Sequence, residues 1–452
     1  MSNLITTDFE PSSAAAWKQK IQFDLKGADY NETLLTKTLE GITIKPFYHS
    51  DDFEKLEIPT SDTDFKICEK ITVTNEVEAN KQALDVIKRG ANSLKFISKQ
   101  PFNITNLFKN LLHKNIDFQF QLEFLSEEFC IELSEFLKNE TVFLNIDIVG
   151  DLAQSGNWYK SLNEDFKKLE HILAKTSTTH HTLSVNTQIY QNAGANTVQQ
   201  IAYALAHANE YLTKFGGEIS HKIQFNFAIG SNYFFEISKI RAFKYLYNLI
   251  LKEYNTSCNA TVFAEPSIRN KTLYDYNVNL LRTTTESMSA ILGGANTISN
   301  CSYDVLFKKP NEFGTRIARN QLLILKEESY FKNAQYIVKD SYYIESITLQ
   351  IAEKALVLFK EIEKSGGFLH QLKEGTIQRK IKENTQKEQA QFDACELVLL
   401  GTNKYPNEQD LMKNEMETNP FKEKKAIKTL IIPITPKRLS EKLEQKKLKN
   451  EA

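Results

Sequence analysis

The sequence predicts an α/β fold: a (β/α)8 barrel of the TIM type with an N-terminal helical arm and a C-terminal helical extension and tail. Three observations carry this. From about residue 64, strand-like runs rich in Phe, Ile, Val and Thr alternate with amphipathic helical stretches. Such alternation specifies parallel strands joined by crossover helices. Eight rounds fit into about 265 residues, the span of one closed barrel. Apolar residues make up 41% of the chain and aromatics 11%, enough for a large buried core.

The elements follow in order. Residues 12–27, SSAAAWKQKIQFDLKG, read as a short helix, with Ser12 or Ser13 as its cap and Gly27 at its end. Trp17, Ile21 and Leu25 form one apolar stripe, which needs a surface to cover it, either its own barrel or a partner. The strands are expected near 65–73, 93–98, 117–124, 142–149, 182–190, 224–230, 260–266 and 296–300. The helices are expected near 77–89, 104–113, 126–138, 159–175, 197–214, 233–254, 275–292 and 312–328. Two further helices follow, near 343–364 and 369–390. Residues 403–452 are dense in Lys, Glu and Asn and carry one apolar patch, TLIIPITP (429–436), as a docking tail would. The expected organisation is an arm (1–50), a barrel (51–335), helices packed on it (336–400) and a tail (401–452).

Composition excludes several classes. Lys+Arg (56) and Asp+Glu (57) balance, which leaves no electrostatic footprint for nucleic acid. Glycine is scarce, and neither GxGxxG nor GxxxxGK[ST] occurs, so the standard phosphate-cradling loops are missing. Cys68, Cys130, Cys258, Cys301 and Cys395 are odd in number and far apart, as free thiols of a reducing cytoplasm are. The start, MSNLITTDFEPSS, lacks the basic and apolar regions of a signal peptide, and no apolar run could span a membrane. A cytoplasmic protein with no membrane contact is expected.

In such barrels chemistry sits at the C-terminal ends of the strands. That rule sets aside His180, His181 and His221, which precede strands, and makes His207 a packed helix residue. His49, His113, His171 and His370 have no acidic or Cys partner at ligand spacing. Asn145 and Asp147, alternating at the end of strand four, are the best acid–base candidates. Strand five ends in Gln188, Ile189, Tyr190, Gln191 and Asn192, and strand seven at Glu265-Pro266. These ends are poor in titratable groups.

Six stretches, in order, resemble the methylmalonyl-CoA mutase family. They are LKGADYNETLLTKTLEGITIKPFY (25–48), QNAGANTVQQIAYALAHANEYL (191–212), FNFAIGSNYFFEISKIRAFKYLY (225–247), TLYDYNVNLLRTTTESMSAILGGANTISN (272–300), FGTRIARNQLLILKEES (313–329) and DSYYIESITLQIAEKALVLFKEIEKSGG (340–367). The likeness extends, with gaps, over about residues 12–404. It implies a barrel that threads acyl-coenzyme A along its axis. It also implies adenosylcobalamin across the barrel mouth and a radical rearrangement of the carbon skeleton.

The departures carry as much information. The family's TIRQYAGF segment, with its catalytic Tyr and substrate-contacting Arg, has no counterpart between Tyr48 and Ile71, and GTIQND is replaced within 152–168. The pattern YHMQEAGA, aligned on Ala193-Gly194-Ala195, puts its thioester-binding His at Ile189, its Tyr at Gln188 and its Glu at Asn192. An Ile cannot donate a hydrogen bond. No His lies two residues after an Asp, so the cobalt-binding DxHxxG is missing, and the chain ends where that domain would start. The resemblance therefore implies a degenerate small chain with no cofactor of its own. It would pair with a large catalytic subunit that binds adenosylcobalamin and interconverts methylmalonyl-CoA and succinyl-CoA. No residue is expected to act as catalyst, cofactor ligand or metal ligand. Gln188, Ile189, Tyr190, Gln191, Asn192, Asn145 and Asp147 remain as a relic pocket. Two alternatives stay open: an acyl-CoA-binding regulatory barrel, and an acyl-CoA enzyme independent of B12. The interface candidates are the arm (12–48) and the tail patch (429–436).

Overall fold

A computed structural model describes residues 11–59, 64–332, 334–421 and 428–451. Most of the N-terminal segment read above for a signal peptide lies outside the described residues, as do parts of the expected arm and tail. Eight parallel strands close into a barrel. They are β1 (Lys66–Thr72), β2 (Ser93–Ser98), β3 (Asp117–Leu122), β4 (Thr141–Ile146), β5 (His181–Asn186), β6 (Ile223–Ile229), β7 (Thr261–Pro266) and β8 (Thr297–Ile298). The two-residue β8 closes the ring by pairing with both β7 and β1.

The side-chain period of two explains the barrel's two faces. One set packs outward under the helices: Phe225 lies 4.5 Å, ring to ring, from Phe243, and Phe118 lies 5.1 Å from Phe108. The other set points inward and is polar, where such barrels more often hold branched apolar residues. Gln224 Nε2 lies within 3.0 Å of the side-chain oxygens of Gln119, Asn145 and Asn226. In the register of Gln119, Lys70 on β1 and Lys95 on β2 also face inward; Lys70 pairs with Glu265, and the Lys95 ammonium sits 4.2 Å from the Phe263 ring centroid. The axis is thus crossed by polar side chains. At the opposite face His181 stacks on Phe143, and burial pulls its pKa down to about 4.

Two strand ends differ from the sequence expectation. Strand four stops at Ile146, because Asn145 adopts a left-handed φ of 54° and the register with β5 shifts there. Asp147 then caps an unexpected helix, Ile148–Ser155, which ends at the left-handed Gly156. Strand five stops at Asn186, where the Thr187 hydroxyl donates to Asn226 O (2.7 Å) and draws the chain off the sheet. Gln188–Asn192 is therefore a short helix and not a strand end. The long helices Thr197–Phe215, Tyr233–Glu253 and Tyr342–Lys364 pack on one another outside the barrel.

The tail folds back over its own barrel. Ile431 and Ile434 join the main core. Backbone N–H groups of the segment then step across the mouth. Leu430 donates to Gly156 O (2.9 Å), Ile434 to Ala153 O (2.7 Å), Lys437 to Asn192 O (2.8 Å) and Leu439 to Arg269 O (3.0 Å). Arg438 is locked by Glu444 (2.6 Å), both buried, and the Glu441–Asn450 helix follows. The N-terminal helix, Ala14–Asp24, behaves oppositely and buries none of its residues. Among the described residues no helix is long and apolar enough to cross a membrane.

Arg319 ties the last barrel helix to β1 through Glu69 (2.9 Å), and both side chains are buried. Removing one partner strands a buried charge. Arg319→Met should therefore lower stability by roughly 3 to 5 kcal/mol in urea unfolding. A loss under about 1 kcal/mol would put the pair in the class of surface bridges.

Candidate site at the barrel mouth

The mouth holds a cavity of about 670 Å³ between the ends of β3–β6 and the tail. Of the seven residues singled out by sequence, Asn145, Asp147, Gln188, Ile189 and Asn192 line it. Tyr190 and Gln191 do not: Gln191 faces a separate 130 Å³ pocket beside Arg269, and Tyr190 is fully buried behind the turn.

Asp147 is held on every side. Its Oδ1 accepts from Gly150 N (2.8 Å), His207 Nε2 (2.9 Å) and the Tyr211 hydroxyl (2.7 Å), and its Oδ2 from Asn186 N (2.7 Å). Burial pushes the carboxyl pKa up, but His207 and the two backbone amides outweigh burial and hold it below the usual carboxylate range. A general base must reach a substrate proton. This carboxylate is occupied as a helix cap and packing hub. Nor do Asn145 and Asp147 alternate into the barrel as expected, because the left-handed Asn145 turns the chain between them. Asn145 Nδ2 instead contacts Gln119 Oε1 (3.3 Å) and Phe120 O (3.2 Å).

The Gln188–Asn192 turn is equally tied. Gln188 Nε2 donates to Glu265 Oε2 (2.9 Å). The Tyr190 hydroxyl meets His207 Nδ1 (2.9 Å). Gln191 Oε1 accepts from Lys239 Nζ (3.2 Å), which is itself paired with Glu236. Asn192 Oδ1 accepts from the Ser267 hydroxyl (2.8 Å) and Ile268 N (3.2 Å). Ile189 presents only hydrocarbon to the cavity. Glu265 is buried, which raises its pKa, yet Lys70 and Lys95 outweigh burial and keep it low. Among the described residues no three His, Cys, Asp or Glu side chains gather as a metal site would require.

Sequence reasoning passed over two groups here. His207, read as a packed helix residue, is indeed buried, and it bridges Asp147 to Tyr190. Lys95 was missed. Its signal was parity: in SLKFIS a Lys stands on the inward face of a buried strand.

The sequence profile of the family described as methylmalonyl-CoA mutase matches residues 138–447. The chain belongs to the methylmalonyl-CoA mutase family. The match runs past residue 404, where the sequence likeness was placed, and takes in most of the tail that crosses the mouth. The methylmalonyl-CoA mutase small subunit of Porphyromonas gingivalis is 33% identical over 444 residues, covering 89% of this chain and 71% of that protein. The methylmalonyl-CoA mutase of Cereibacter sphaeroides is 35% identical over 245 residues, covering 50% of this chain and 33% of that protein. The methylmalonyl-CoA mutase large subunit of P. gingivalis is 31% identical over 236 residues, again covering 50% and 33%. The chain therefore spans about a third of the last two mutases.

The folded pKa of Asp147 lies below its unfolded value, so its contribution is present above roughly pH 4 and is lost as pH falls through the folded value. Asp147→Asn should cost about 3 kcal/mol at neutral pH and flatten the acid limb of the stability curve. Urea midpoints across that range check both. An unchanged acid limb would show that another group sets it.

Proposed function

We propose that this chain is the non-catalytic small subunit of a heterodimeric, adenosylcobalamin-dependent methylmalonyl-CoA mutase. The large subunit then binds the cofactor and coenzyme A and interconverts methylmalonyl-CoA and succinyl-CoA. Similarity to a small subunit over 89% of the chain supports this reading. So does the existence of a large subunit in the same organism as that relative.

The observation that carries the proposal is Ile189, which stands where the family's thioester-binding His is expected and brings only hydrocarbon to the mouth cavity. No His follows an Asp by two residues, so the chain offers no cobalt ligand of the family's type, and no reaction step is assigned through the cofactor. The polar axis adds a second argument, since Gln119, Asn145 and Gln224 meet where the family threads an acyl-coenzyme A.

What the chain offers instead is a surface. The tail patch is used internally through Ile431 and Ile434, while Leu430 and Ile432 stay exposed. The arm is not. Trp17 is 50% exposed and Phe23 78% exposed, and the helix is only 11 residues long. Helices that short are marginal in water unless a face is buried. We assign the arm to the large subunit, with the complex in the cytoplasm.

Two measurements test this. Titrated with adenosylcobalamin, the chain alone should leave the cofactor's absorption spectrum unchanged, and the mixture with the large subunit should change it. A spectral change with the chain alone would refute the assignment of the cofactor to the partner. Trp17→Asp combined with Phe23→Asp should weaken association with the large subunit at least about tenfold, or 1.4 kcal/mol. Unchanged affinity would move the interface elsewhere.

A further inference from the structure

We propose that the mouth cavity is a binding site for a small polar monocarboxylate, such as a hydroxy or oxo acid, with Lys95 as its anchoring cation.

The first observation is the state of Lys95. It is only 5% exposed. Among the described residues it forms no hydrogen bond and no ion pair; the Phe263 ring lies against it, and the Glu265 charge acts on it without direct contact. The other buried cations are all provided for. Lys239, Arg241, Arg269, Lys271, Arg319 and Arg438 each hold a carboxylate. Lys326 holds Asp64, while Lys222 and Lys244 hold backbone carbonyls. Glu265, whose charge acts on Lys95, is bonded directly to Lys70 and Gln188. Lys95 holds no anion directly, and it lines the cavity.

The second observation is the wall. Asn145, Asn186, Gln188, Asn192 and Asn226 bring amides to the same space. The cavity volume, about 670 Å³, is in the range of small-molecule sites. Pro436 of the tail stands on the wall and limits the ligand's bulk. Glu123, Asp147 and Asp151 also line the cavity and disfavour a second negative charge. One carboxylate on Lys95, with a neutral oxygen function among the amides, matches this distribution.

The site lies within this chain, so the inference does not rest on the partner-subunit reading, and either can fail without the other. Calorimetric titration of the full chain uses lactate as the probe, with lactamide as its neutral counterpart and sulfate as a control for general ionic effects. Lactate should bind at least about tenfold more tightly than either. Lys95→Met should abolish the difference, and Lys95→Arg should keep it. Equal binding of lactamide or sulfate, undiminished binding to the Met variant, or no heat with lactate would each overturn the proposal. If the Met variant does not fold, the lactate–lactamide comparison on the unmodified chain decides. Butyryl-coenzyme A is the final arm: binding of the thioester without lactate binding would overturn the site as described.

Discussion

One carboxylate organises the mouth of this barrel. Asp147 caps the helix that follows β4, fixes the end of β5 through Asn186 N, and anchors the helix Thr197–Phe215 through His207 and Tyr211. Through His207 it also reaches Tyr190 and so holds the Gln188–Asn192 turn. A buried charge is tolerated only when its lone pairs are met. Four donors meet them here. By its bonding, Asp147 is a structural hub of the mouth.

The turn held in this way then receives the tail. Asn192 O accepts from Lys437, so the Asp147 network and the crossing segment are continuous. The barrel axis is occupied as well, by amides and a Lys70–Glu265 pair. What remains open is a cavity of about 670 Å³ lined by Lys95.

The eight-fold alternation was legible in the sequence because buried parallel strands are apolar runs, and their flanking helices carry a clear 3.6 period. Two strand ends were not legible. The left-handed Asn145 and the Thr187 hydroxyl bond to Asn226 depend on neighbouring strands, and no local signal announces them. The helix Ile148–Ser155 was hidden for the same reason, its cap being read as a strand residue. In the tail, the two residues that pack, Ile431 and Ile434, alternate with Leu430 and Ile432, which are 71% and 68% exposed. Sequence alone could not say which pair would find the barrel. Lys95 was readable by parity, yet a lone inward lysine gains meaning only once its neighbours are seen to be paired elsewhere.

If this chain works as a partner of the large subunit, the two chains from the same cell, mixed and run by size-exclusion chromatography with light scattering, should give a single peak at the summed mass of one copy of each. Two separate peaks, each at the mass of its own chain, would show that the chain is not that partner.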